Sequence, residues 1–278
     1  MSQPLRILLQ TTIPFVEDDW HIGRFSKLAG QLTSLPNVAV TARNRETPPG
    51  TNDPVLATLD ASDFDELWLF AVDAGDGLTA AECAAIGRFR RRGGGILLTR
   101  DHMDLGSSIC DLGGVGAAHY FHSRNPDPDE TRRRRDDMDT PTIDWPNYHS
   151  GANGDFQDLT VVGERHPVLA GVDRLPAHPH EGAVGAPPED PAARVIATGV
   201  SRTTGRPFNL AVAFERGAGG GPAVAGSTFH HFADYNLDPA LGAPSFVDEP
   251  PGDGLVREPS ALAETYRYFG NLARWLAP

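Results

Sequence analysis

Lysine is almost absent: Lys27 is the only one among 24 basic residues, the rest being arginine. Amine chemistry of the Schiff-base kind therefore has a single candidate in the chain. Cysteine is nearly as scarce. Cys83 and Cys110 are too few to staple 278 residues, and neither stands in a CxxC or other metal-type spacing. Both are expected to be free thiols in a reducing cytoplasm, since the helix holding Cys83 and the turn around Cys110 have no evident reason to meet. Long hydrophobic runs are missing too. The N-terminal run Leu5 to Leu9 is strand length, far below the roughly 20 apolar residues of a membrane span. The opening MSQPLRILLQTTIPF also lacks the basic start and apolar core of a secretory signal. Positive charge is outnumbered, leaving a net −13 at pH 7, which repels nucleic acid and anionic membranes. The partners this leaves are a small-molecule substrate and, beyond it, a second copy of the chain in a homo-oligomer.

What is present is enough apolar residue, 40%, for a chain of this length to bury a core without disulfides or metal. LRILLQ (5–10) reads as a buried strand, and from His21 the spacing of Ile22, Phe25, Leu28 and Leu32 predicts a helix. NVAVTA (37–42), ELWLFA (66–71) and GILLT (95–99) continue the strands, with the continuous hydrophobicity of a parallel sheet. Between the last two, Thr79 and Glu82 stand at capping-box spacing, with arginines in the final turn and Gly93 beyond, so a helix fills the gap. Strand and helix alternate as in a doubly wound, flavodoxin-like α/β sheet. The pattern breaks at about 119–158, a polar stretch whose DPDETRRRRDDMDTP carries opposed charge blocks; it is expected to be an exposed insertion, mobile over about 124–140, with arginines 132–135 on a solvated face. ARVIATG (193–199), FNLAVAF (208–214) and PAVAGSTF (222–229) add an antiparallel portion, and a helix over about 259–276 closes a single domain of residues 1–278.

Chemistry is expected in the loops after the parallel strands, because these converge on one crevice of an open α/β sheet. GGGILLTRDHMDLG ends its strand in Arg100, Asp101, His102 and Asp104. DDWHIGR, VDAGDGLT and STFHHFADYN add His21, Asp73, Asp76, His230, His231 and Asp234. His102, Asp101 and His231 are the candidates for acid–base catalysis, His231 being preferred to its neighbour. Adjacent side chains on an extended strand face opposite ways, so His230 and His231 are not expected to share the site. Substrate contacts are expected from His21, Asp73, Asp76, Arg100, His230 and Asp234. Tyr148, His149 and Asn153 of NYHSGANGDF form a second, looser candidate group, and HPHEG (178–182) offers His178, His180 and Glu181 on a proline-rich loop, expected to be exposed, with a contact at the rim of the site or behind it as the alternative. No organic cofactor is expected. A divalent metal is the alternative left open, with His102, His231 and Asp101 as its ligands.

The order of these motifs resembles the ThuA-like (trehalose-utilisation) branch of the class I glutamine-amidotransferase-like fold over most of the chain outside the insertion. The residues that carry the resemblance are WHIG after the first strand, LTAAECAAIGRFRRRGGGILL with its polar turn, RHPVLAGV (165–172) and FERGAGGGPAVAGSTFHH (214–231). It implies functional positions at His21, His102, the His166–Pro167 pair, and His230 or His231. It also implies a mostly parallel sheet flanked by helices and a sugar-like, polyhydroxylated substrate. One departure is decisive: the turn where an amidotransferase carries its cysteine nucleophile holds Asp101, His102 and Met103, so thiolate hydrolysis of glutamine is not expected. The rivals are a non-catalytic ligand- or partner-binding module on the same scaffold and a metal-dependent hydrolase.

Overall fold

The computed structural model describes residues 3–136, 140, 142–217 and 219–278. Its centre is an eight-stranded sheet in the order β2-β1-β3-β4-β10-β9-β8-β6. The strands are β1 (Leu5–Thr11), β2 (Val38–Arg43), β3 (Glu66–Phe70), β4 (Gly95–Thr99), β6 (Thr160–Val161), β8 (Ala193–Val200), β9 (Pro207–Phe214) and β10 (Ala223–Gly226). β5 (Phe156–Asp158) and β7 (Arg174–Pro176), too short for any hydrophobic period to mark them, form a separate antiparallel pair. β2, β1, β3, β4 and β10 run parallel, whereas β9, β8 and β6 are antiparallel. The fold is thus α/β with a mostly parallel sheet and an antiparallel extension.

Both faces of the sheet are covered, which is why its strands read as unbroken apolar runs. Ile7, Leu9, Trp68, Phe70 and Leu97 face one layer, with α1 (Ser26–Thr33) and α5 (Pro259–Leu276), while Leu8, Leu67, Leu69, Ile96 and Leu98 face the other, with α2 (Ala80–Arg91). The capping box forms as its spacing predicts: the Thr79 hydroxyl accepts from the Glu82 amide and Glu82 reaches back to the Thr79 amide. The helix expected from His21 is shorter. A 3₁₀ turn, Ile22–Phe25, precedes α1, and the missing α1 cap comes from far along the chain, where Asp234 in α3 (Asp234–Leu237) accepts from the Ser26 and Lys27 amides at 3.0 and 2.8 Å. The four-residue α4 (Gly254–Arg257) leads into α5.

One expectation is qualified and one changes. The insertion is exposed over 122–126, 128–131 and 133–135, as expected of its charged stretch, but it is anchored by buried Tyr120, Phe121, Asp127, Asp136, Trp145, Asn147 and Tyr148, with Asp127 paired with Arg132 at 2.8 Å. Of the stretch expected to be mobile, positions 137–139 lie outside the described residues. Cys83 and Cys110 are bonded to each other, since the turn after β4 folds back onto α2 and brings the two Cα atoms to 6.0 Å. That tertiary contact leaves no trace in the spacing of two lone cysteines.

No helix among the described residues is long and apolar enough to cross a membrane.

Candidate active site

Register places the site. Thr11 pairs with Phe70, Phe70 with Thr99 and Thr99 with Gly226, so four parallel strands end level on one edge. The loops leaving that edge line a cavity of about 550 Å³. Asp19 and Trp20 come from the loop after β1, Asp73 and Asp76 from that after β3, Asp101, His102 and Leu105 from that after β4, and Phe229 and His230 from that after β10. His178, His180 and Glu249 close it from the second half of the chain.

The turn after β4 is rigid. Met103 takes a left-handed backbone conformation, φ 48°, and its amide donates to the Pro146 carbonyl at 3.1 Å. Arg100, fully buried, braces the turn by donating to the carbonyls of Asp101, Met103 and Tyr120, with its guanidinium 4.4 Å over the Phe121 ring. Burial, offset in part by Asp101 and Asp104, lowers its pKa to about 9. Asp73 holds the other end of the loop, one carboxylate oxygen accepting from the Gly75 and Ser108 amides at 3.0 and 3.2 Å.

Asp101 is the centre of the cluster. His102 Nδ1 lies 3.2 Å from its Oδ2, His230 Nε2 3.5 Å from the same oxygen, and His178 Nε2 3.5 Å from Oδ1. Burial opposes charge on this carboxyl, but the imidazoles of His102 and His230 outweigh it and hold the group well below the usual carboxylate range. His178 is driven well below the usual imidazole value, first by burial and then by His230, whose ring stacks on it at 3.6 Å. His180 sits across the cavity with Nε2 2.8 Å from Glu249 Oε1, and its ring lies edge-on to that of His102 at 5.1 Å. Asp101, His178 and His230 each offer one ligand atom within 4.8 Å of the others, so they are the residues placed to hold a metal.

The sequence-derived candidates divide cleanly. Asp73, Asp76, Asp101, His102 and His230 line the cavity. Of His21, His102 and His231, expected around one cavity, only His102 lines it. His231 turns into the interior, its Nε2 3.3 Å from Glu181, so it cannot serve beside Asp101 as catalyst or metal ligand; the bend of the 3₁₀ turn Phe229–His231 points His230 inward instead. His21 caps the turn after β1 by accepting from the Gly23 amide, and the same loop reaches the cavity through Trp20. Asp234 is a helix cap and Arg100 a brace, as above. Tyr148 stacks on Phe208 at 4.8 Å, burial raising its phenol to about 12, and neither it nor His149 lines the cavity. His166 packs on Trp275, its Nε2 3.4 Å from Glu215.

His178 and His180 were expected to be exposed and are buried. Pro179 and His180 form a turn that sets the two imidazoles 5.6 Å apart at the cavity, while Glu181 lies in the interior. Gly182 lets this segment lie against the strand ends, because a Cβ there would collide with the Asp101 carbonyl and stand 2.9 Å from that of Ser227.

No family model and no curated protein matches the sequence. Solved structures do match in shape. A cytoplasmic protein of Salmonella typhimurium LT2 is similar over 98% of this chain and 100% of its own, with a TM-score of 0.53 at 12% identity. A protein described as ThuA-like from Parabacteroides merdae is similar over 90% of this chain and 96% of its own, with a TM-score of 0.50 at 16% identity. At such identities the likeness is one of architecture alone: the chain has the fold of the ThuA-like proteins.

Proposed function

We propose that the cavity is the active site of an enzyme performing acid–base chemistry on a small, uncharged, hydroxyl-rich molecule of the sugar-derivative class. The observation that carries this reading is the Asp101–His102 pair. With Nδ1 at 3.2 Å from a buried carboxylate and its side chain 15% exposed, His102 is oriented by one ring nitrogen and leaves the other for a substrate proton. The charge of the wall supports the substrate class. Asp19, Asp73, Asp76, Asp101 and Glu249 line the cavity, and no arginine or lysine does among the described residues, so a phosphorylated or carboxylated substrate would meet repulsion. Ile13, Trp20, Val72, Leu105 and Phe246 supply the apolar surface that the flat face of a sugar ring can cover.

A panel of neutral sugars, lactones and acylated sugars, followed by NMR in deuterated water, tests the reading. Turnover is expected on an uncharged member, and His102→Ala should lower it by about 10²–10⁴ with folding nearly intact. A His102→Ala variant as active as the parent, or turnover confined to anionic compounds, would overturn the proposal. A binding module would retain ligand affinity with no turnover by the parent. The fold neighbour from Salmonella is described as cytoplasmic, and the same setting was expected here. The Cys83–Cys110 bond weighs against it, because such bonds persist mainly in oxidising compartments. Counting thiols in protein purified without reductant decides.

A further inference from the structure

The two stacked imidazoles of the cavity are locked in one protonation pattern by a chain of amides behind them. Asn236 Nδ2 donates to the Ala177 carbonyl at 3.1 Å, and a carbonyl can only accept, so the orientation of this side chain is fixed. The same Nδ2 donates to Asn153 Oδ1 at 2.8 Å, which fixes the second amide. Each asparagine therefore turns a carbonyl oxygen to a histidine: Asn236 Oδ1 lies 3.0 Å from His230 Nδ1 and Asn153 Oδ1 lies 2.8 Å from His178 Nδ1. Both Nδ1 atoms must carry hydrogen. In the neutral rings both Nε2 atoms then present lone pairs, and both face Asp101, at 3.5 Å from its two different oxygens.

Three electron-pair donors thus converge in a space where His178, His230 and Asp101 are at most 4% exposed, and Asp101 Oδ1 and His178 Nε2 have no hydrogen-bond partner. Such a grouping is repulsive by itself and becomes favourable around a cation. We infer that Asp101, His178 and His230 form a binding site for a divalent transition metal of the zinc or iron(II) class, with Asn153 and Asn236 as its positioning residues. Two imidazole nitrogens and one carboxylate oxygen suit these ions and not magnesium or calcium, which take oxygen ligands. Histidine ligands whose other N–H is held by a carbonyl are the usual arrangement at such centres. Three protein ligands leave a further position for water or substrate, beside His102, so the site deepens the acid–base reading and rests on it only for its role in turnover.

The tautomers can be read on the unaltered chain. Long-range proton–nitrogen spectra of the chelator-treated protein should show His178 and His230 protonated at Nδ1; a ring with Nδ1 bare and Nε2 protonated in either overturns the proposal. Calorimetric titration should give one Zn²⁺ per chain and no Mg²⁺, and Co²⁺ should develop visible absorption bands in the protein. Replacing His178 and His230 together by Gln should abolish these signals, with circular dichroism reporting folding. Asn236→Ala should weaken Zn²⁺ binding by about 10–100-fold, with circular dichroism showing that the variant folds. Absence of Zn²⁺ and Co²⁺ binding by the folded parent, or binding that survives loss of both histidines, overturns the site. Turnover unaffected by removal of all metal would refute the metal's role in turnover and leave the acid–base reading standing; stoichiometric metal with no turnover on any compound would overturn that reading and leave the site standing.

Discussion

Two carboxylates lie behind the same strand ends, each beside imidazole, and they differ in everything else. Glu181 is fully buried and satisfied: it accepts from the Ser150 and Ser227 hydroxyls at 2.5 and 2.6 Å and from the Gln157 amide, with His231 at 3.3 Å. Asp101 is nearly as buried, yet its Oδ1 has no hydrogen-bond partner, and the nitrogens facing its oxygens all belong to His102, His178 and His230. A closed polar network of the first kind ties segments together and contributes to stability. An open one of the second kind leaves atoms unsatisfied and persists where something outside the chain completes it. His230 belongs to the open network and His231 to the closed one, so choosing between them is choosing between the two networks.

The comparison breaks most readily at Glu181. Glu181→Ala leaves two hydroxyls and an amide without their acceptor, and should cost about 3–5 kcal/mol in urea melts, the usual cost of breaking a buried pair. A loss below about 1 kcal/mol would mean that the satisfied network is not what holds these loops.

Another buried imidazole sharpens the contrast, because no carboxylate among the described residues compensates it. Burial first, then the charges of Arg100 and Arg124, hold His119 well below its ordinary 6.5. The unfolded chain therefore takes up a proton near pH 6.5 that the folded chain refuses. Stability should be fully present above that pH and fall as the pH drops through it, by at most about 1.4 kcal/mol per unit from this group. Chemical denaturation of the parent and His119→Phe between pH 7.5 and 5.5 should show a slope shallower by up to one proton in the variant, and equal slopes would refute the assignment.

The smallest effect is expected at the open network. Asp101→Asn exchanges a carboxylate with an unpartnered oxygen for an amide that can donate to an imidazole lone pair, so its stability should stay within about 1 kcal/mol of the parent. The same variant should lose turnover. A destabilisation as large as that of Glu181→Ala would erase the distinction between the two carboxylates.

Most of the frame was legible because its signals are local. The bounds of β4 and the capping box of α2 follow from short-range patterns, and α5 begins at Pro259 and ends at Leu276 as its apolar stripe predicts. Loop positions were legible too, since parallel strands pointed to one edge, and Asp73, Asp76, Asp101, His102 and His230 stand there. The roles of His21 and Asp234 were misread because capping a nearby helical turn and lining a cavity call for the same residue types at the same places. The burial of His178 and His180 was out of reach for a different reason. The partners that enclose this proline-rich segment, Asn153, Ser150 and Glu249, sit in other loops, and no period in the sequence connects them.

The bond between Cys83 and Cys110 gives the site a topology as well as a geometry. It closes a covalent ring spanning a sequence separation of 27, which contains part of α2, all of β4 and the turn bearing Asp101 and His102. Closing a ring of this size removes conformations from the unfolded chain worth about 3–4 kcal/mol in the chain-entropy picture. The turn bearing Asp101 and His102 is therefore held in a short loop even when the sheet around it has come apart. A backbone cut anywhere within that ring would leave the chain in one piece until the sulfurs are reduced.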